Sequence, residues 1–118
     1  MTRSILIAAS LLTCLIVSDP ALAADAFQVC RGCHTDVKGR NGFGASLFGV
    51  VGRRAGSLPN FHYSDAMKAS GIVWDAATLD RFITSPRDAV PGTRMPFGGI
   101  KDPAKRAQII AYLKGLHD

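Results

Sequence analysis

The chain has 118 residues, 47% of them hydrophobic and 19% charged, and a formal charge of +5. That length makes one small domain with a modest core. A basic balance suits nucleic acid, acidic lipid or an acidic protein, and without a basic run or an interleaved aromatic platform nucleic acid is not favoured.

The first residues have the three parts of a secretory signal peptide. A positive start ends at Arg3, residues 4–17 are almost wholly apolar, and Asp19-Pro20-Ala21-Leu22-Ala23 closes on a small-x-small pattern. Cleavage is expected after Ala23, with Ala24 as the alternative. Residues 1–23 then form a signal peptide and residues 24–118 a single domain exported to the periplasm. The apolar stretch, about fourteen residues, falls short of the roughly twenty that span a bilayer, so an uncleaved anchor is the minority alternative. Cys14 lies inside that stretch, without the small preceding residue and terminal position of a lipoprotein site, and is expected to leave with it. Arg3 and Asp19 leave together, so the charge of +5 survives processing.

The stretch Cys30-Arg31-Gly32-Cys33-His34 carries the chemistry. Two thiols two residues apart can each add to a vinyl group of one haem, and a histidine directly after the second reaches the iron from the same face. The spacing therefore reads as covalent attachment of one haem c through Cys30 and Cys33, with His34 as iron ligand. A bare C-x-x-C also serves thioredoxin-like redox sites and half zinc sites. The first normally follows a βα pattern, and the second needs another ligand pair; no cysteine follows Cys33, while His62 and His117 are single and far apart. A porphyrin would also supply apolar surface to a core that about 95 residues fill poorly.

Residues 25–29 are expected to form a short helix into the attachment block, with Phe27 on the haem side or packed on another helix. Gly39, Gly42, Gly44, Gly49 and Gly52 punctuate the next segment, which argues for a wrapping loop anchored by Leu47, Phe48, Val50 and Val51. Residues 63–69 read as a short helix stopped near Gly71. Residues 76–84 read as a second, capped by Asp75 and ended by Pro86, with Leu79, Phe82 and Ile83 on its buried face. Residues 87–101 are irregular, with a turn at Val90-Pro91-Gly92. Asp102 caps a last helix with Pro103 at its first position, where a missing N–H is harmless. Ala107, Ile110, Ala111 and Lys114 are expected along one side of it, and Ile109, Tyr112, Leu113 and Leu116 carry the bulk. No alternating strand pattern of useful length occurs, so the fold class is all-α, short helices and long loops around one haem.

A six-coordinate haem needs a ligand opposite His34. Met67, Met95, His62 and His117 are the candidates. Met95 lies in Pro91-Gly92-Thr93-Arg94-Met95-Pro96, where turns on both sides fix its direction, while Met67 lies in a helical run and suits packing. Imidazole opposite thioether raises the reduction potential and suits reversible one-electron shuttling, with no substrate transformed.

Over residues 27–115 the chain resembles a class I c-type cytochrome, on the branch of the mitochondrial electron shuttle and its photosynthetic and respiratory bacterial relatives. The resemblance rests on Cys30-x-x-Cys33-His34, Leu47-x-Gly49-x-x-Gly52-Arg53, Tyr63-Ser64-x-Ala66, Trp74, Pro91-Gly92-Thr93-x-Met95-x-Phe97 and Arg106-x-x-Ile109-x-x-Tyr112-Leu113, in the family's order. It implies the cytochrome c fold, with His34 as the proximal ligand and Met95 as the distal one. Tyr63 and Trp74 become donors to a buried haem propionate, Arg53 compensates its charge, Thr93 bonds the other propionate, and Phe97 shields the haem from water.

The chain departs from the family pattern in four places. Ala45 stands where a proline usually presents its carbonyl to the proximal histidine, which reduces the rigidity that aims it. Phe82 replaces a common tyrosine and Met67 a common asparagine, so a drier distal side is expected. Cleavage after Ala23 shortens the first helix, leaving Ile109, Ile110 and Leu113 less to pack against.

Lys38, Arg87, Arg94, Lys101 and Lys105 are expected to ring the haem edge and steer the protein toward acidic docking surfaces in quick, salt-sensitive encounters. The partners implied are a terminal oxidase, a quinol-oxidising complex, a photosynthetic centre or a periplasmic dehydrogenase, with peripheral membrane contact only. The function expected is a diffusible one-electron carrier and no enzyme, since a peroxidase needs an open iron and a distal acid–base group. The alternatives are a ligand-binding or sensing haem protein with a displaceable distal methionine, and an electron-transfer subunit bound to a dehydrogenase.

Overall fold

The computed structural model describes residues 9–10, 12 and 19–118. Most of the expected leader, Cys14 included, lies outside the described residues. Among the described residues the architecture is all-α, short helices joined by long loops, with no sheet.

Helix α1 (Pro20–Phe27) starts where the Asp19 carboxylate accepts the Ala21 N–H at 2.9 Å and Pro20 takes the first position. It therefore begins before the helix expected over residues 25–29 and gives way to a 3-10 turn, Gln28–Cys30. Helix α2 (Asp65–Ala69) is capped by Ser64, whose hydroxyl accepts the Met67 N–H at 3.1 Å; Tyr63 and Ser64 stay outside the helix expected to include them. Helix α3 (Ala76–Thr84) has the expected bounds, and a reciprocal capping box explains its start. Asp75 accepts the Thr78 N–H and Thr78 accepts the Asp75 N–H, both at 2.8 Å. Pro86 ends α3 and opens one further turn, α4 (Pro86–Ala89), within a segment expected to be irregular. Helix α5 (Pro103–Lys114) follows the Asp102 cap and Pro103 as read from the sequence. Arg106 ties its start to α3 through Asp80 at 2.7 Å and to the carbonyls of Ile100 and Lys101, each at 3.0 Å.

The core lies where α1 crosses α5. Ala23, Ala26 and Phe27 are buried there opposite Ile109, Ile110 and Leu113, so α5 is covered in the chain that retains residues 19–23. On α5 the expected face is corrected: Ala107 and Lys114 are exposed and Ala111 is half-buried, because the stripe turned toward α1 and α3 is Ile109, Ile110 and Leu113. Phe27, fully buried, stacks on Tyr112 with ring centroids 4.4 Å apart. The Arg31 guanidinium lies 5.0 Å over the Phe27 ring and donates to Asp36 and to the Tyr112 hydroxyl, each at 2.8 Å. Tyr112 donates in turn to Asp36 at 2.5 Å. Attachment block, α1 and α5 are thereby fastened together, and burying Phe27 alone contributes about 1.5–3 kcal/mol.

The glycine-punctuated segment wraps as expected. Val50 is buried, but Val51 is 37% exposed, a correction to its expected anchoring role: its neighbour Val50 faces the core and the next residue of the turn faces out. An isolated bridge between Arg54 and Val73, with the Trp74 N–H donating to the Arg53 carbonyl at 2.9 Å, pins this loop to the strand-like approach to α3.

Because α1 runs through the expected cleavage point, a chain starting at Asp19 keeps the helix cap and Ala23, and one starting at Ala24 loses both. The longer chain should melt higher by about 4–8 °C, the equivalent of about 1 kcal/mol for one cap; equal melting temperatures would mean that the first turn adds no stability. Arg31, with Tyr112 second, holds the Asp36 carboxyl below its ordinary value. A depressed carboxyl stabilises the fold above its unfolded value and loses that contribution as pH falls through the folded one. Asp36→Asn should therefore cost about 0.5–1 kcal/mol at neutral pH for this partly exposed pair. In denaturant titrations the deficit should narrow below about pH 4.

Candidate functional site

The five residues from Cys30 to His34 form a compact turn, in which the Cys33 and His34 N–H groups both donate to the Cys30 carbonyl, at 3.2 and 2.9 Å. Cys30 is half-buried and Cys33 exposed, and both thiols are free. Burial pushes the Cys30 thiol up to about 11, against a lowering by the nearby Lys105 ammonium. A thiol protonated at neutral pH is the reverse of what a redox dithiol needs, which disfavours the thioredoxin-like alternative. Among the described residues no three His, Cys, Asp or Glu side chains gather as a metal site, so the zinc alternative lacks ligands.

His34 sits in a tight seat. Its Nδ1 lies 2.6 Å from the Ala45 carbonyl, and because a carbonyl only accepts, Nδ1 carries the proton and Nε2 is left bare for a metal. Burial pushes the imidazole below its ordinary value, opposed by the Ala45 bond, so the ring is neutral at neutral pH. With alanine instead of proline at 45, the backbone is held against the ring by close packing and a hydrogen bond at Gly44. A Cβ there would meet the His34 ring atoms at 2.5–2.9 Å, and the Gly44 N–H donates to the Cys33 carbonyl at 2.7 Å. The backbone passes flat against the ring because no side chain intervenes. In the sequence Gly44 is one of several glycines, and nothing marks it as the one beneath the His34 ring.

The other expected site residues converge on one apolar cluster. Met67, Trp74, Leu79, Phe82 and Ile100 are buried in it, and Cys30, Tyr63, Met95 and Phe97 pack against it half-buried. Trp74 tilts against Phe82 with centroids 5.1 Å apart. Of the four candidate second ligands, Met67 is a core residue, His62 and His117 are exposed, and Met95 lies at the cluster's edge. Its loop is braced: Thr93 Oγ1 accepts the Met95 N–H at 3.4 Å, and Arg94 reaches across to the His62 carbonyl at 3.0 Å. A bare imidazole nitrogen, two free thiols on the same turn and this apolar wall are the donor set that a covalent haem requires, so the residues present fit it.

Arg53 does something that the motif did not suggest. It donates to the Ser46 and Phe48 carbonyls, at 2.8 and 2.5 Å, and so braces the wrapping loop from inside. Burial lowers it from its ordinary value, and the Tyr63 hydroxyl opposes that effect. Tyr63 itself accepts the Leu58 N–H at 3.4 Å. Of the expected basic ring, Lys38 pairs with Asp118, Arg94 is held by His62, and Lys101 donates to the Thr84 carbonyl at 3.4 Å; Arg87 and Lys105 are exposed. The Arg31–Asp36–Tyr112 network was missed because its partners are distant in sequence, 81 positions for Arg31 and Tyr112.

No family model matches the chain. It is 47% identical over 94 residues to cytochrome c2 iso-2 of Magnetospirillum fulvum, covering 80% of this chain and 98% of the relative. It is 50% identical over 99 residues to cytochrome c2 of Rhodopila globiformis, covering 83% and 93%. The solved structure of cytochrome cH from Methylobacterium extorquens superposes with a TM-score of 0.76 at 46% identity, over 81% of this chain and 97% of that one.

Gly44→Ala places a methyl group where the His34 ring stands. It should lower the stability of the haem-loaded protein by about 1–3 kcal/mol, as overpacking does, and shift the Soret band as the ring moves. A variant with unchanged melting and spectrum would show that the ring does not depend on this seat.

Proposed function

The chain belongs to the class I c-type cytochromes, related to cytochrome c2; it is a one-electron carrier with one covalent haem c and no enzyme, and we propose that His34 and Met95 are its axial ligands. The observation that carries the proximal half is the 2.6 Å contact of His34 Nδ1 with the Ala45 carbonyl, which leaves Nε2 bare. Met95 is supported by its braced loop at the edge of the apolar cluster, where the other three candidates are core or exposed residues. The bound haem supplies a reversible couple between ferric and ferrous iron.

The chain's own residues hold the iron's surroundings nearly unchanged while that couple turns over. Cys30 and Cys33 fix the porphyrin to one turn. Tyr63 and Trp74 would donate to a propionate whose charge Arg53 would compensate, and Thr93, whose oxygen accepts the Met95 N–H, would offer its O–H to the other propionate. Phe97, packed against the cluster that holds Phe82 and Met67, would keep water from the distal side, which raises the potential and limits solvent rearrangement.

Export to the periplasm with loss of residues 1–23 is supported by the leader pattern. Such processing removes the Asp19 cap and Ala23 but leaves Ala26 and Phe27 against α5. The carrier's partners are membrane or periplasmic redox proteins with acidic faces, an oxidase, a quinol-oxidising complex, a photosynthetic centre or a dehydrogenase, met through exposed cations such as Arg87 and Lys105.

The oxidised protein should show the weak far-red sulfur-to-iron band, and the reduced protein should not respond to carbon monoxide. Met95→Ala should lose the band and bind carbon monoxide readily. Carbon monoxide binding by the unsubstituted reduced protein would overturn Met95 ligation and favour a sensor with an open distal side.

A further inference from the structure

The ring of Phe43 is 75% exposed, the most exposed aromatic side chain among the buried and exposed hydrophobics of residues 19–118. Nothing about its loop is loose. Gly42 donates to the Gly44 carbonyl at 3.0 Å, Gly44 donates to the Cys33 carbonyl at 2.7 Å, and a Cβ on Gly42 would meet that same Cys33 carbonyl oxygen at 2.8 Å. Phe43 therefore stands out from a turn clamped at both shoulders to the haem-attachment segment, with Gly44 beneath the His34 ring. Whatever covers Phe43 is brought against the edge where exposed Cys33 lies.

The surrounding charge selects the occupant. Residues 37–64 contain Lys38, Arg40, Arg53 and Arg54 and no acidic residue. Lys38 is paired with Asp118 and Arg53 is turned inward to the Ser46 and Phe48 carbonyls, so Arg40 and Arg54 are the exposed cations of this segment left for a partner. Arg40 is exposed three positions before Phe43, and Lys105 lies close enough to Cys30 to lower its pKa. A membrane surface would gain from the cations, but one rigid ring on a tight turn suits a shaped pocket better than a lipid interface.

We propose that Phe43 is the apolar anchor of the electron-transfer encounter, inserting into a pocket that the redox partner rims with carboxylates. This rests on the carrier reading and adds to it the chemistry of the partner's face. A fixed aromatic loses little conformational entropy on docking and concentrates binding energy in one desolvated contact. The surrounding cations set the rate of approach and its dependence on salt. A contact of this kind is small enough to release after one electron.

The test uses haem-loaded protein, reduced, with a purified bacterial terminal oxidase as electron acceptor. Phe43→Ser should raise KM about tenfold with kcat unchanged, at low and at high salt. Arg40→Gln should raise KM at low salt only. The absorption spectrum, the melting temperature and the rate of oxidation by ferricyanide, which is too small to use the anchor, should stay as in the unsubstituted protein. An unchanged KM for Phe43→Ser overturns the anchor and leaves the carrier intact. So does a Phe43→Ser loss that ferricyanide shares, since the effect would then lie at the haem. Failure of ferricyanide to oxidise the reduced, unsubstituted protein would overturn the carrier reading itself, a result that no comparison between variants can imitate.

Discussion

The seat of His34 is the constraint on which the rest of the molecule depends. One ring nitrogen is held by the Ala45 carbonyl and the ring lies against the bare backbone of Gly44, so the other nitrogen is presented in a fixed direction and in the neutral form. A ring fixed in this way need not move when a metal held at its free nitrogen changes charge, which suits a rapid electron carrier. Gly44 is bonded to the Cys33 carbonyl, so the seat and the attachment turn are parts of one unit.

That unit is gripped from two sides. The attachment turn grows out of α1, and α5 crosses behind it, where Phe27 stacks on Tyr112 and Arg31, inside the attachment block, joins Asp36 and Tyr112. On the other side the wrapping loop is braced by Arg53 from within, and the methionine loop is tied to its neighbour by Arg94. A small core is thus shared between the helix crossing and the apolar wall around Trp74 and Phe82, and charged side chains fasten the loops that close it.

Much of this was legible in the sequence where the signal was local. The Cys-x-x-Cys-His spacing, the Asp75 cap with Pro86 beyond it, and Asp102 followed by Pro103 marked the attachment block, the bounds of α3 and the start of α5. The start of α1 was hidden because Asp19 and Pro20 read equally as the end of a leader and as a helix cap. Val51 was misread because single apolar residues in turns carry no periodicity. Other features depend on contacts made only in the fold. The partners of Arg53 are backbone carbonyls, Arg31 meets Tyr112 across nearly the whole domain, and Gly44 differs from the neighbouring glycines only in what lies above it.

The most direct test of the account is whether haem stays with the polypeptide when periplasmically matured protein is unfolded and extracted with acidic acetone. One haem per chain should remain, and the Cys30→Ala, Cys33→Ala double variant should release all of it. Complete extraction from the unsubstituted protein would contradict covalent attachment at Cys30 and Cys33, and with it the arrangement built around His34.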